Sequence, residues 1–241
     1  MHIYYITGTS RGLGQALAQG LLNNPDNRVR GIGRTNSITH PNFQFTELDL
    51  SDLDAVAAFH FVEHPGVKSI TLINNAGIIG HITPAGNDTA ANIRRIYAVN
   101  MVAPALLCNA FIKAYSEKEG NKQIVNISSG AGKNPIDGWS NYCATKAGLD
   151  LYSRTLAEEF KIYDRPDFRI WSVAPGVVDT AMQEEIRNAK PGHFSRLDQF
   201  VNYKAEGQLA SPDVVAGKYF RIFESPANFP DAVLSVKDIE P

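Results

Sequence analysis

Short apolar runs bounded by turn residues alternate along this chain with longer stretches in which apolar residues recur every third or fourth position. Residues 3–6 form a β-rich run ending at Thr7-Gly8. From Gly12 the period changes, and Leu13, Ala16, Leu17, Gly20 and Leu21 fall on one helical face. Further strands are predicted at 28–32, 43–48, 67–73, 123–127 and 168–173, with a last one near 232–236. Helices are predicted after the third strand (capped by Ser51 or Asp52), over about 88–117, over 140–163 and near 212–224. The tract at about 180–208 reads as charged and irregular. Nearly uniform apolar strands alternating with helices imply a parallel sheet covered on both faces. The expected fold is α/β and doubly wound, with about seven strands.

Composition changes this picture little. A chain of 241 residues, 44% hydrophobic and 20% charged, buries a substantial core, and no repeat or linker-like shift divides residues 1–241 into separate domains. A net charge of −2 leaves no basic excess for a nucleic-acid partner. The N-terminal apolar stretch is too short for a signal segment and nothing approaches a membrane span, so a soluble cytoplasmic protein is expected. Cys108 and Cys143 make neither a disulfide framework nor a metal-type spacing.

The first candidate chemistry lies between the first strand and the first helix. Gly8, Ser10, Arg11, Gly12, Leu13 and Gly14 belong to a Gly-x-x-x-Gly-x-Gly loop. Glycines there let backbone approach a pyrophosphate, whose charge the helix N-terminus favours. Residues 8–12 also fit the Gly-x-Ser-x-Gly nucleophile elbow. A serine after the first strand, however, has no earlier strand to supply an oxyanion-hole loop, and hydrolase chemistry is set aside. Folds specific for NAD place an acid about 20 residues past the glycines, on the ribose 2′-hydroxyl. Here that count reaches Arg34, and Arg11 is a second cation. Two guanidinium groups suit a 2′-phosphate, so NADP(H) is the expected cofactor.

Tyr142 and Lys146 stand at i and i+4 of the 140–163 helix. A neighbouring cation stabilises phenolate, so such a pair is expected to bring the tyrosine's proton exchange toward neutral pH. Alone this is an ordinary helix pair; its company gives it meaning. With the Gly8–Gly14 loop, Leu48-Asp49-Leu50, Asn74-Asn75-Ala76-Gly77, Asn100, Ile127-Ser128-Ser129 (its second serine 13 residues before Tyr142) and the Ala174–Thr180 tract appear in order. In that order the chain resembles the short-chain dehydrogenase/reductase family over essentially its whole length.

The resemblance implies a Rossmann fold and a set of roles. Tyr142 is the general acid for carbonyl reduction, and Lys146 lowers its pKa and holds the nicotinamide ribose. Ser129 binds the substrate carbonyl, and Asn100 supports a proton relay through Lys146. Asp49 and Leu50 meet the adenine, Asn75, Ala76 and Gly77 border the cofactor, and Pro175, Gly176, Val178 and Thr180 touch the nicotinamide end. The 127–135 and 174–182 tracts and Gly138-Trp139 resemble a sepiapterin-reductase-like branch that includes bacterial reductases forming (S)-benzoin from benzil. That branch implies a small-molecule carbonyl substrate, a hydrophobic ketone or vicinal diketone. Ile79, Trp139 and Met182 are the expected pocket residues. Phe194 and Phe200 either line the pocket or pin a lid at 180–208 to the core.

Other readings are weighed beside this one. A 3-oxoacyl-carrier-protein reductase shares the chemistry, and a regulatory module binding NADPH without turnover is the alternative from another class. His60-Phe61-Val62-Glu63-His64 spells an inverted zinc-peptidase pattern, read as the solvated face of an outer helix with no metal. Cys143 is expected to be a buried, inert thiol. The family also implies a homodimer or homotetramer, with Leu106, Leu107, Phe111, Leu151 and Leu156 serving the contact or facing the sheet.

Overall fold

A computed structural model describes residues 1–239; Glu240 and Pro241, the end of the expected domain, lie outside the described residues. The strands are β1 (His2–Thr7), β2 (Asn27–Gly33), β3 (Phe43–Glu47), β4 (Ser69–Asn74), β5 (Asn121–Ile127), β6 (Phe168–Ala174) and β7 (Val233–Ser235). They pair in parallel in the order β3-β2-β1-β4-β5-β6-β7. The helices are α1 (Gly12–Leu22), α2 (Leu53–Ala57), α3 (Ala90–Tyr97), α4 (Ala103–Tyr115), α5 (Ser140–Ile162), α6 (Ala181–Arg187), α7 (Leu197–Ala205) and α8 (Pro212–Glu224).

The central strands are apolar throughout because both faces are covered. On one face Leu17 and Leu21 of α1 and Val215, Tyr219 and Ile222 of α8 pack on Tyr4, Ile6, Val29, Val125 and Val173. On the other, Leu107 and Phe111 of α4 and Phe160 of α5 pack on Ile3, Tyr5, Leu72, Ile124 and Ile170. After β3 at one edge the chain returns to β4 on the far side of β1. Connections therefore leave the β1/β4 boundary in opposite directions, and a crevice opens beyond the carboxyl ends of the strands.

Three local expectations are corrected, and the choice of cap for α2 is resolved. The helical region at 88–117 is broken by a π turn, Ala98–Val102, which carries Asn100. Asp52, not Ser51, caps α2, accepting from the Ala55 N–H, but that helix ends at Ala57. The His60–His64 tract is therefore not helical, and the one-turn spacing of its histidines lapses. Phe61 is buried, His64 Nε2 pairs with the Tyr5 hydroxyl at 3.0 Å, and Glu63 pairs with Lys118. Among the described residues no cluster of His, Cys, Asp and Glu is arranged to hold a metal. The 180–208 tract is not irregular: it forms α6 and α7. Phe194 and Phe200 there join Ile79, Ile96, Trp139, Tyr142 and Ile186 in a third apolar cluster. The run Ala90–Tyr115 is long and apolar enough to span a membrane by length and composition, yet its α4 part lies on the sheet.

Candidate active site

A cleft of about 1050 Å³ runs along the carboxyl ends of the strands. At its β1 end, Gly8 has φ +74° and Gly12 φ +59°, left-handed values that favour glycine. Gly14 is needed for a different reason: a Cβ there would lie 2.2 Å from Gly8 O and 2.3 Å from Asn75 Nδ2. Asn75 stitches the loop down, its Nδ2 donating to Thr7 O (2.9 Å) and Gly8 O (3.1 Å). Thr7 Oγ1 accepts in return from the N–H groups of Asn75 and Ala76. No side chain caps the N-terminus of α1, and its first turn holds no acid. Gly12 and Leu13 of that turn line the cleft, an arrangement suited to an anion.

Arg11 and Arg34, both exposed, stand on the rim of this end. Asp49 is held below the usual carboxylate range by hydrogen bonds from Ser51 first, then by Arg34 and Arg95. Arg95 of α3, which no motif singled out, is thus a third rim cation. Ser37 ties the loop after β2 to the phosphate loop by donating to Ser10 O at 2.9 Å. The far end of the cleft comes from β5, α5 and the turn after β6. Ser129 caps the 3₁₀ turn Gly130–Gly132, its Oγ accepting from the Ala131 N–H at 3.2 Å, which leaves its own O–H to donate.

Tyr142 and Lys146 are 6% and 4% exposed. Lys146 Nζ donates to Ile127 O at 2.7 Å and lies 5.7 Å from the centre of the Tyr142 ring. Burial pushes the Tyr142 phenol up to about 12, against a hydrogen bond from Ser129 that pulls it down. The same burial pulls Lys146 down to about 8. The expectation that the lysine brings the phenol toward neutrality is therefore corrected. Desolvation is the largest influence on the phenol and sets it above its ordinary value, with the Ser129 hydrogen bond acting the other way.

Of the anticipated residues, Gly8, Ser10, Arg11, Gly12, Leu13, Arg34, Asp49, Leu50, Asn75, Ala76, Gly77, Ile79, Ser129, Trp139, Tyr142, Lys146, Pro175, Gly176, Val178, Thr180 and Met182 line this one cleft. Gly14 packs beneath it and Asn100 behind it. Asn100, 1% exposed, spends its amide on Ile78, accepting from the N–H at 2.9 Å and donating to the carbonyl at 2.8 Å. Its direct bonds are thus to the Ile78 backbone and, at 3.4 Å, to Thr145 Oγ1, not to Lys146.

A model of the short chain dehydrogenase family matches residues 2–191. The chain belongs to the short-chain dehydrogenase/reductase family. A benzil reductase ((S)-benzoin forming) from Bacillus subtilis (strain 168) is 37% identical over 230 residues, covering 93% of this chain and 94% of that protein. A sepiapterin reductase from Meriones unguiculatus is 29% identical over 244 residues, covering 91% and 90%. A crystal structure of a short-chain dehydrogenase/reductase from Saccharomyces cerevisiae superposes with a TM-score of 0.84 at 24% identity, over 99% of this chain and 97% of that one. This short-chain dehydrogenase/reductase is accordingly an oxidoreductase.

The far end of the cleft is aromatic. Trp139 meets Tyr142 edge-on (5.8 Å, 87°) and packs on Phe194 and Phe200 at 5.4 Å each. Met182 Sδ lies 3.9 Å from the Tyr142 hydroxyl. Phe200 lines the cleft, while Phe194 stands behind Trp139 and pins the tract to it. Gln183, Gln199, Tyr203 and Arg196 also reach the cleft from α6, α7 and the segment between them. Sequence reasoning missed them because no motif marks the tract; its only signal was the amphipathic spacing of Phe200 and Tyr203. Cys143 is half-buried rather than buried. Of the five residues considered for a subunit contact, Leu107 and Phe111 face the sheet, Leu106 and Leu156 are partly buried, and Leu151 is 62% exposed.

Proposed function

We propose that the protein is an NADPH-dependent reductase of hydrophobic ketones and vicinal diketones, of the benzil-to-(S)-benzoin type. The observation that carries this reading is the group formed by the buried Tyr142 and Lys146 with the half-buried Ser129. It lies at the aromatic end of a cleft whose other end is a glycine-rich anion cradle rimmed by Arg11, Arg34 and Arg95. The residues fit the cofactor: the loop from Gly8 to Gly14 and the open N-terminus of α1 would hold a pyrophosphate. Arg11 and Arg34 would hold a 2′-phosphate, and Asp49 and Leu50 the adenine end. Asn75, Ala76 and Gly77 would border the ribose. Pro175, Gly176, Val178 and Thr180 would border the nicotinamide. When bound, that group supplies hydride to the carbonyl carbon.

The chain's own residues do the rest. Ser129, whose hydroxyl otherwise bonds to Tyr142, donates to the substrate oxygen and holds the carbonyl beside Tyr142. Tyr142, a phenol that keeps its proton until negative charge develops beside it, gives that proton to the forming alkoxide. Lys146 then stabilises the phenolate left behind. Asn100 fixes the Ile78 backbone next to this group and so supports the proton's replacement. Ile79, Trp139 and Met182, backed by Phe200, exclude water and accept an aryl ring. A second carbonyl suits such a site chemically, because it makes the accepting carbon more electrophilic. Residues 180–208 act as the lid of a single domain. α4 and α5, with Leu151 outward, are the surface for a homodimer or homotetramer, and the two unpaired cysteines fit a cytoplasmic setting.

The test follows absorbance of NADPH, and separately NADH, with benzil and smaller diketones. Rapid loss of NADPH with little use of NADH is expected. Tyr142→Phe should lose activity by about 10²- to 10⁴-fold while still binding NADPH. Turnover surviving in that variant, or a preference for NADH, refutes the respective part of the reading.

A further inference from the structure

Tyr142 and Lys146 share their buried helix face with a third ionisable group. Asp150, one turn beyond Lys146 on α5, is 6% exposed. A carboxylate so placed is costly unless something uses its charge. Its Oδ1 accepts from Ser172 Oγ of β6 at 2.6 Å. Its Oδ2 lies under the 3₁₀ turn that Ser129 caps. A Cβ on Gly132 would come within 2.8 Å of that oxygen and within 2.9 and 3.0 Å of the Lys146 backbone. Among the described residues no ion pair involves Asp150. The carboxylate therefore sits wedged between the helix carrying Tyr142 and Lys146, the turn carrying Ser129 and the central sheet.

The surroundings of Lys146 show what that charge is for. β5 offers its ammonium one neutral acceptor, Ile127 O. The π turn contributes the amide of Asn100, and across Gly77 its Oδ1 and Lys146 Nζ lie 3.5 and 3.6 Å from the same would-be Cβ. The 3₁₀ turn and α5 add the neutral Ser129, Tyr142 and Thr145. Among these elements Asp150 is the one charge acting on Lys146, and it favours the ammonium against the burial that disfavours it.

We propose that Asp150 is a positioning residue for carbonyl reduction: the charge of its buried carboxylate holds Lys146 as the ammonium that Tyr142 requires. This rests on the role proposed above for Lys146.

The test removes the charge and keeps the shape. Asp150→Asn retains an acceptor for Ser172. With the carboxylate gone, Lys146 loses its proton at lower pH. The alkaline limb of the kcat profile with NADPH and a diketone should move down by about one pH unit, with KM little changed. Near pH 8.5 that is roughly a tenfold loss of kcat, fading toward pH 6.5. The second readout needs no turnover. In ¹³Cε-lysine-labelled protein, the Lys146 resonance, assigned by its loss in Lys146→Met, should titrate at lower pH in Asp150→Asn than in the wild type. Asp150→Glu and Ser172→Ala both keep the charge and should leave the limb close to its wild-type position.

Coincident wild-type and Asp150→Asn titrations and profiles would overturn the inference. So would a limb displaced equally in Ser172→Ala, since packing would then be the cause. Should Asp150→Asn not fold, a limb in Asp150→Glu displaced downward by a full unit would overturn it in the same way. If the NMR midpoint moves while the wild type reduces no carbonyl, the coupling stands and the proposed function is what fails.

Discussion

Replacing Gly14 with alanine sets two opposed effects against each other, and the structure decides the sign. Gly14 lies inside the first turns of α1, where alanine is favoured over glycine by about 1 kcal/mol on helix propensity alone. The added methyl, however, would sit 2.2 Å from Gly8 O and 2.3 Å from Asn75 Nδ2. Backbone cannot swing aside as a side-chain end can, so either α1 backs away from the sheet or the loop shifts. Overpacking of this kind costs about 1–3 kcal/mol. Displacing Gly8 O and Asn75 Nδ2 also strains the hydrogen bonds that Nδ2 donates to Gly8 O and Thr7 O, each contributing about 1 kcal/mol. The balance is a net destabilisation of about 2–4 kcal/mol, read as a lower midpoint in urea at unchanged slope.

Because the displaced atoms form the anion cradle, NADPH affinity should fall by about tenfold or more, measured by fluorescence titration. The matched control is Gly217→Ala in α8, where nothing lies within 4 Å of the new methyl. That variant should be more stable by up to about 1 kcal/mol. If Gly14→Ala proved as stable as Gly217→Ala and bound NADPH normally, the close approach of loop and helix would be refuted.

Other outcomes follow from the same contacts. Arg11→Ala with Arg34→Ala should raise the NADPH dissociation constant by about 10- to 100-fold and leave that for NADH within about twofold. Equal losses for both would make the arginines general phosphate contacts. Asn100→Ala leaves the Ile78 N–H and carbonyl without partners and should cost about 2–4 kcal/mol in urea denaturation. Burial draws the Lys146 ammonium down from its ordinary 10.5 to about 8, so between those values the unfolded chain binds more protons and stability rises with pH. Lys146→Met should therefore lose that rise, so its urea-denaturation stability should change less between pH 8 and 10.5 than the wild type's. Burial pushes the Cys108 thiol up to about 12, so alkylation of the native protein at pH 8 followed by mass spectrometry should mark the half-buried Cys143 alone.

How much of this was legible depends on where each signal resides. β1 and α1 announced themselves because period and turn chemistry are local: an apolar run, a glycine turn, then a helical stripe. Arg34 was found by counting, since the end of the second strand returns to the phosphate loop in any such sheet. Arg95 could not be found that way. It reaches the same rim from a helix some sixty residues further on, and nothing in 90–97 distinguishes it from Arg94. The π turn at 98–102 was equally hidden, and the Ile78 backbone that its Asn100 grips lies 22 residues earlier in the chain. The 60–64 tract was expected on an outer helix, and that placement failed for the converse reason. Its spacing has meaning only on a helix, and α2 stops at Ala57.

The amino-acid order by itself determined the alternation of strands and helices, the glycine cradle and the pairing of Tyr142 with Lys146 at one helical turn. Each follows from backbone geometry within a few residues. Only the tertiary structure decided how those groups behave. Burial of α5 against the sheet keeps the Tyr142 proton on, draws Lys146 down and places the Asp150 carboxylate beneath it. Solvation is a property of everything packed around a group, and chain neighbours alone do not specify it.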